Sequence, residues 1–350
     1  MLNTILPAYG LPQDSLKVEA FGSGLINHTW KITAPGKAYI LQRVNHAIFK
    51  EPADIANNIS LIADHLKKYH PQYYFIAPLA SVNGEEMIYQ RGEGFFRMFP
   101  FVAGSHSKDV VETAEQAYEA AIQFGRFTRL LNGVDINKLK ITIPCFHDLT
   151  LRYQQFLQAL ENGNRQRVAD SADLIKSLTQ HADIVTEYGN IKANPEFKLR
   201  VTHHDTKISN VLFNAEGKGI CVIDLDTVMP GYFISDVGDM MRTYLSPVSE
   251  EEIDFARIAV RDDFYKAIVR GYYSEMKNEL TATEKKYFFY AGTFMIYMQA
   301  LRFITDYLND DKYYGAKYPR HNYVRAKNQL VLLERLLAKK EQLEEMNLDA

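Results

Sequence analysis

The first hundred residues carry short runs of β-branched and aromatic residues separated by turn formers, and after Ser105 the apolar positions change to a helical spacing. Six strands are expected: Leu16 to Phe21, His28 to Thr33, Ala38 to Val44, Tyr73 to Val82, Met87 to Arg91 and Phe95 to Phe99. Pro35-Gly36 turns the chain between the second and third, and Asn83-Gly84 is a hairpin signal between the fourth and fifth. Between the third and fourth strands, Ile55, Ile59, Ile62 and Leu66 lie on one face of a helix.

Helices dominate the rest. Glu112 to Asn132 places Ala114, Ala117, Ala121, Gly125 and Leu131 near one face, whose alanines and glycine allow close packing. Leu149 to Leu160, Asp170 to Tyr188 and Glu250 to Met276 read as further helices. Thr281-Ala282-Thr283-Glu284 is a capping box opening an apolar helix to about Tyr307. A tyrosine-rich loop, Asp310 to Arg320, precedes a last helix carrying Tyr323, Leu330, Leu333 and Leu337. The sum is an α+β protein of two lobes, a strand-rich one over residues 1–101 and a larger helical one over 102–350.

Composition narrows the setting. The net charge is −3, and the 40 basic and 43 acidic residues are mixed along the chain, so no nucleic-acid surface is expected. Two cysteines, Cys145 and Cys221, imply no disulfide framework and fit a reducing compartment. The start, MLNTILPAYG, lacks the basic residues of a secretory signal, and the longest uncharged apolar stretch, Tyr287 to Leu301, is too short to span a bilayer. A cytoplasmic monomer acting on a small molecule, with no membrane partner, is the expectation.

The candidate chemistry lies in residues 201–240. His203-His204-Asp205 is followed by Asn210, then by a hairpin of Val211-Leu212-Phe213 and Ile220-Cys221-Val222-Ile223 that ends on Asp224 and Asp226. Such a hairpin brings Asn210 and Asp224 together as oxygen ligands suited to Mg²⁺, a hard cation that leans on substrate phosphates. Asp205 on its loop suits a proton acceptor. Phosphoryl transfer needs these parts: a positioned hydroxyl, a carboxylate to take its proton, and metal to neutralise phosphate charge. Each motif alone is weak, since Asp and Asn are common loop formers. Together and in order they are specific. Zinc at His203-His204-Asp205 is a poor competitor because adjacent side chains diverge. His203 reads instead as a buried histidine bracing the loop.

Upstream, Gly22-Ser23-Gly24 joins two strands, where backbone N–H groups can cover phosphates. The third strand offers Arg43 as a cation, or Gln42 as a hydrogen-bonding substitute. The helix after it has no glutamate at its middle, only Glu51 and Asp54 at its start.

The spacing H-x-D-x-x-x-x-N followed by I-D-x-D resembles the aminoglycoside phosphotransferase and choline kinase families, distant relatives of protein kinases. The stretches GSGLINHTW, YILQRVN, HHDTKISNVLF and VIDLDTVMPG look most like the N-acetylhexosamine 1-kinases of that superfamily. The resemblance implies a protein-kinase-like fold and ATP and Mg²⁺ as cofactors. Asp205 is then the catalytic base, and Asn210 and Asp224 hold the metal, with Asp226 either directly on it or one shell behind. Gly22, Ser23, Gly24 and Arg43, with Pro100, Phe101 and Val102 as an adenine-pairing hinge, bind the nucleotide. Asp236 braces the catalytic loop, or caps the helix that follows it. Arg302 and Tyr313 are the implied sugar contacts, although Arg302 could simply pair with Asp306 four residues on. The implied reaction carries the γ-phosphate to the anomeric hydroxyl of N-acetylglucosamine or N-acetylgalactosamine. The alternative is a kinase of a different sugar or of a choline-like amino alcohol held in an aromatic cage, and a regulatory pseudokinase is a third reading, opposed by the presence of Asp205, Asn210 and Asp224.

Overall fold

A computed structural model of the protein describes residues 2–11, 16–22 and 26–345. The chain divides into two compact units. The first comprises Met1–Asp109, Leu130–Pro144 and Ser209–Pro230, and the second Val110–Arg129, Cys145–Ile208 and Gly231–Ala350.

In the first unit a helix, α1 (Leu2–Ala8), precedes β1 (Lys17–Ala20), β2 (His28–Ala34) and β3 (Lys37–Val44). Helix α2 (Pro52–Tyr69), β4 (Ile88–Gln90) and β5 (Gly94–Pro100) follow. The five strands form one antiparallel sheet in the order β1-β2-β3-β5-β4. Ile32, Leu41, Phe96 and Met98 of the sheet bury against Ile5 and Leu6 of α1, which is how a short helix with an internal proline is held. The strand expected over Tyr73 to Val82 does not form: only the Leu79 N–H reaches the sheet, 2.7 Å from Met98 O. Pro78 has no N–H to donate to a ladder, and Ser81 Oγ instead accepts the N–H groups of Asn83 and Glu85, closing a turn.

Later in the chain come α3 (Ala114–Leu130), α4 (Leu149–Asn162), α5 (Arg165–Asp170), α6 (Ala172–Gln180) and α7 (Asp183–Ala193). Three short strands and a hairpin partner lie beyond: β6 (Arg200–Thr202), β7 (Val211–Phe213), β8 (Gly219–Val222) and β9 (Met229–Gly231). The chain ends with α8 (Phe233–Tyr244), α9 (Asp262–Met276), α10 (Phe288–Leu308), α11 (His321–Leu337) and α12 (Lys340–Glu344).

The second unit is built around α10, apolar on nearly every side and buried along most of its length. Backbones approach closely where glycines allow it. A Cβ on Gly238 of α8 would lie 2.3 Å from Ala291 O, and one on Gly292 would lie 2.8 Å from Met241 Sδ. Two expected helices are broken. Asp170 to Tyr188 is divided among α5, α6 and α7, with Tyr297 and Tyr290 of α10 donating their hydroxyls to Leu178 O and Ile184 O near the break. Glu250 to Met276 becomes helical only at Asp262. Asn328 Nδ2 donates to the carbonyls of Ser249 and Glu252, and the Asp254 side chain caps a single 3₁₀ turn. Those carbonyls are the groups a continuing helix would need for itself. The capping box does close, with Thr281 and Glu284 exchanging bonds of 2.9 and 3.0 Å, but it opens a 3₁₀ turn and α10 starts only at Phe288.

Candidate active site

The loop after β6 is held from below by α8. Asp236 is the fourth residue of that helix, so it cannot cap it, and its carboxylate accepts the backbone N–H groups of His203 (3.0 Å) and His204 (2.8 Å). One turn on, Asp239 accepts the N–H of Thr206 (2.8 Å). Thr206 donates its hydroxyl to Asp236 O, and Tyr244 donates to Thr206 O at 2.6 Å. The i, i+3 spacing of Asp236 and Asp239 puts both on one helix face. Three N–H groups of the loop, at 203, 204 and 206, are thereby fixed around Asp205. His204 adopts a left-handed conformation, φ 65°, which a non-glycine residue holds only when its surroundings fix it. A Cβ on Gly231 would come within 2.4 Å of the His204 ring, so the glycine after Pro230 leaves room for that ring.

His203 is fully buried against the edges of Phe124 and Phe127, and its Nδ1 accepts the Asp205 N–H at 3.3 Å. Asp205 is half-buried, with Lys207 Nζ 2.9 Å from its Oδ1. Burial works against the Lys207 charge, but Asp205 and Asp239 outweigh it and hold its pKa above the usual lysine value. Lys207, two residues past Asp205, was not singled out from the sequence, nor were Asp239 and Tyr244. Burial pushes the Asp236 carboxyl up to about 7, the two loop N–H groups pull it down, and Asp239 raises it further.

In the first unit, β7 and β8 pair antiparallel from Val211 opposite Val222, and Ile223 N–H donates to Asn210 O at 2.9 Å. This carries the hairpin register one residue further and sets Asn210 beside the start of Ile223-Asp224. Asn210 is buried. Asp224 is exposed and left-handed, φ 61°, a conformation that aspartate tolerates better than most residues. The pair offers hard oxygen donors, an amide and a carboxylate, and the described residues contain no group of three His, Cys, Asp or Glu side chains able to hold a metal by themselves. That donor set fits Mg²⁺, which completes its shell with water and phosphate.

Asp226, two residues past Asp224, is held by side chains of its own unit. It is buried, Arg97 Nη1 lies 2.5 Å from its Oδ1, and Asn27 Nδ2 donates to its Oδ2 at 2.8 Å. Arg97 also donates twice to Gln42 Oε1, at 3.1 and 2.8 Å, from the residue directly opposite it in the sheet. Asn27 Oδ1 in turn accepts the Asn45 N–H. Among the described residues the buried cation of this unit is Arg97 on β5, with Gln42 as its partner on β3. Arg43 points to the other face of the strand, 3.6 Å from Glu93. Asn58 stands at the middle of α2, where the glutamate is missing, and bonds to Lys140 N, Lys140 O and Val228 O. An arginine at position 97 was legible only as a polar residue inside an apolar strand.

Gly22 is left-handed, φ 81°, with open space where a Cβ would be, and Ser23 and Gly24 lie outside the described residues. Pro100 ends β5. Phe101 N–H donates to Ala38 O, its ring meets Phe21 edge-on at 6.0 Å, and Val102 O accepts from Ser105.

Arg302 makes no pair with Asp306. That carboxylate accepts the N–H groups of Tyr313 and Tyr314 and the Asn322 amide. Arg302 donates to Gln299 and its guanidinium lies 5.5–5.9 Å from the rings of Phe146, Tyr313 and Tyr314. Phe146 stacks on His147, whose Nδ1 is 3.3 Å from that of His204. Arg302 and Tyr313 are thus one aromatic cluster away from the residue preceding Asp205.

A sequence model of the phosphotransferase enzyme family matches residues 17–276, and the chain belongs to that family. The fold is that of several solved kinases. An amicoumacin kinase in complex with AMP-PNP, Ca²⁺ and amicoumacin aligns with a TM-score of 0.62 at 14% identity, over 95% of this chain and 92% of that one. A microcompartment-associated aminopropanol kinase gives 0.61 at 16%, over 99% and 98%. Spectinomycin phosphotransferase with ADP and spectinomycin gives 0.60 at 12%, over 97% of both. The protein is a phosphotransferase with an α+β kinase-like fold, and none of its described helices is long and apolar enough to cross a membrane.

Proposed function

We propose that the protein is an ATP- and Mg²⁺-dependent kinase that phosphorylates the anomeric hydroxyl of an N-acetylhexosamine. The observation that carries the kinase reading is the catalytic loop: Asp205 sits on a backbone whose N–H groups at 203, 204 and 206 are all held by α8. A proton acceptor for an alcohol must be aimed, and most of its effect comes from position. Asp205 takes the proton of the acceptor hydroxyl, and Lys207 keeps a positive charge beside it. Asn210 and Asp224 hold Mg²⁺, which when bound neutralises charge on the nucleotide phosphates. Arg97 holds Asp226 in place, and covering the phosphates is the role proposed for Gly22, Ser23 and Gly24.

ATP as donor is supported by the ADP and AMP-PNP found with the spectinomycin and amicoumacin enzymes of the same fold. The sugar rests on the likeness of GSGLINHTW, YILQRVN, HHDTKISNVLF and VIDLDTVMPG to N-acetylhexosamine 1-kinases. Protein incubated with ATP, Mg²⁺ and N-acetylglucosamine or N-acetylgalactosamine should yield a sugar 1-phosphate, recognised by its phosphorus resonance and by loss of the reducing end. Turnover of ATP only with amino alcohols would reject the sugar. A nucleotide bound but never hydrolysed with any acceptor would reject the kinase.

A further inference from the structure

We propose that Asn27 is a positioning residue for the metal: its side-chain amide clasps the turn that follows Asp224 to the ends of β2 and β3, and so sets how strongly Mg²⁺ and nucleotide bind together. The inference rests on the kinase reading, in which Asn210 and Asp224 hold the metal, and concerns a residue outside that set.

Asn27 lies three residues past Gly24 and immediately before β2. Its amide is engaged at both ends. Nδ2 donates to Asp226 Oδ2 at 2.8 Å, and Oδ1 accepts the N–H of Asn45, the residue after β3, at 3.0 Å. Asp226 belongs to the 3₁₀ turn Leu225–Thr227, which Asp224 opens. One half-buried side chain thus joins two strands of the sheet to a turn 199 residues further along the chain.

The chemistry of this position is narrow. A backbone N–H only donates and a carboxylate only accepts, so the group between them must offer an acceptor on one side and a donor on the other. A primary amide does both, and its two partners dictate which way round it lies. Aspartate would meet Asp226 with a second negative charge, and leucine would make neither bond. Asn45 is itself held, because its Oδ1 accepts the Ala47 N–H at 3.0 Å.

The clasp also closes a ring. Arg97 lies against the other oxygen of Asp226 and donates to Gln42 Oε1, and Gln42 Nε2 donates to Thr29 Oγ1 at 3.4 Å, two residues past Asn27. Arg97 supplies the charge. The contacts of Arg97 and Asn27 fall on different oxygens and so fix the rotation of the carboxylate as well as its place. At the far end of the turn, Asn58 donates to Val228 O at 2.9 Å. A turn that presents a metal ligand binds best when it is ordered beforehand, since ordering it on binding is subtracted from the affinity.

The test reads the gain in ATP affinity that Mg²⁺ brings, by calorimetric titration with and without the metal. Asn27→Ala should bind metal-free ATP as wild type does and lose about tenfold of the Mg²⁺ gain, the lower end of what a hydrogen bond to a charged group contributes. A residue that only stabilised the fold would lower the melting temperature and leave that gain unmoved in the folded protein. Asn27→Asp and Asp226→Asn should each show the loss. Together they exchange amide and carboxylate, remake the bond in reverse while the Asn45 N–H keeps an acceptor, and should recover most of the gain. Thermal melts establish that each variant is folded, and if Asn27→Ala is not, the double variant set against Asp226→Asn decides the matter. A gain unchanged in folded Asn27→Ala, or a double variant no better than Asp226→Asn, overturns the clasp and leaves the kinase reading standing. Wild type that gains no ATP affinity from Mg²⁺ removes the metal site, and the clasp falls with it.

Discussion

Arg97 Nη1 lies 2.5 Å from Asp226 Oδ1, and both side chains are almost completely buried in the first unit. Removing one partner of such a pair leaves an uncompensated charge in the interior, which costs roughly 3–5 kcal/mol. Arg97→Ala should therefore lower the stability measured by denaturant unfolding by about that much. The double variant Arg97→Met with Asp226→Leu should recover most of the loss, because well-packed apolar residues often replace a buried pair at little cost. A single variant within about 1 kcal/mol of wild type would show that the pair is not what holds Asp226.

Asp224 and Asp226 are two residues apart and should respond differently. Asp224→Ala should abolish the Mg²⁺ dependence of nucleotide binding with little change in thermal stability, since the side chain is exposed. Asp226→Asn should lower stability first. Calorimetric titration of ATP with and without Mg²⁺, beside a melt of each variant, separates the two. Equal Mg²⁺ responses in both would place Asp226 on the metal beside Asp224.

Asp205→Asn should keep the fold and nucleotide binding while lowering kcat by roughly 10²–10⁴, the usual worth of a positioned base. Its N–H is held by His203 Nδ1, a bond the exchange leaves in place, so the loop should survive it. Near-normal turnover would assign the proton to another group.

Asp236 gives a pH dependence to stability. Its carboxyl titrates near 7 in the folded protein, raised mainly by burial, and near 3.9 in an unfolded chain. The folded state then holds the proton more tightly. The contribution is complete below about pH 4 and is lost as pH rises through about 7, by up to about 4 kcal/mol. Asp236→Asn cannot titrate, so its stability should fall less steeply between pH 4 and 8 than that of wild type. Parallel pH profiles by urea unfolding would contradict this.

The local placement of three candidate residues could be read before the fold was known. The positions of Asp205, Asn210 and Asp224 follow from a loop and a hairpin, which are local in sequence. Arg97 and Asp226 lie 129 residues apart in the numbering of the chain, and no local pattern links them. The same holds for Asn27 with Asp226 and for Asp239 with Thr206. Arg43 was the natural cation of the third strand because it is the charged residue there, yet strand alternation gives that face to Gln42. The helix over 250–276 failed for a related reason: its periodicity is genuine, but Asn328 from a distant helix takes its first carbonyls.

That interrupted segment sets an order on what evolution can change. Glu250 meets both Arg242 of α8 and Arg325 of α11, and Arg242 also holds Asp239, which anchors the loop at Thr206. A lineage that loses Arg325 first still has Glu250 neutralised by Arg242. One that loses Glu250 first leaves two guanidinium groups, both largely buried, each short of an acceptor, and loosens the anchor of the loop in the same step. Contacting charges of this kind are not additive. The same two substitutions are thus tolerable in one sequence and damaging in the other, and homologues that lack Glu250 should be found among those that have already lost Arg325.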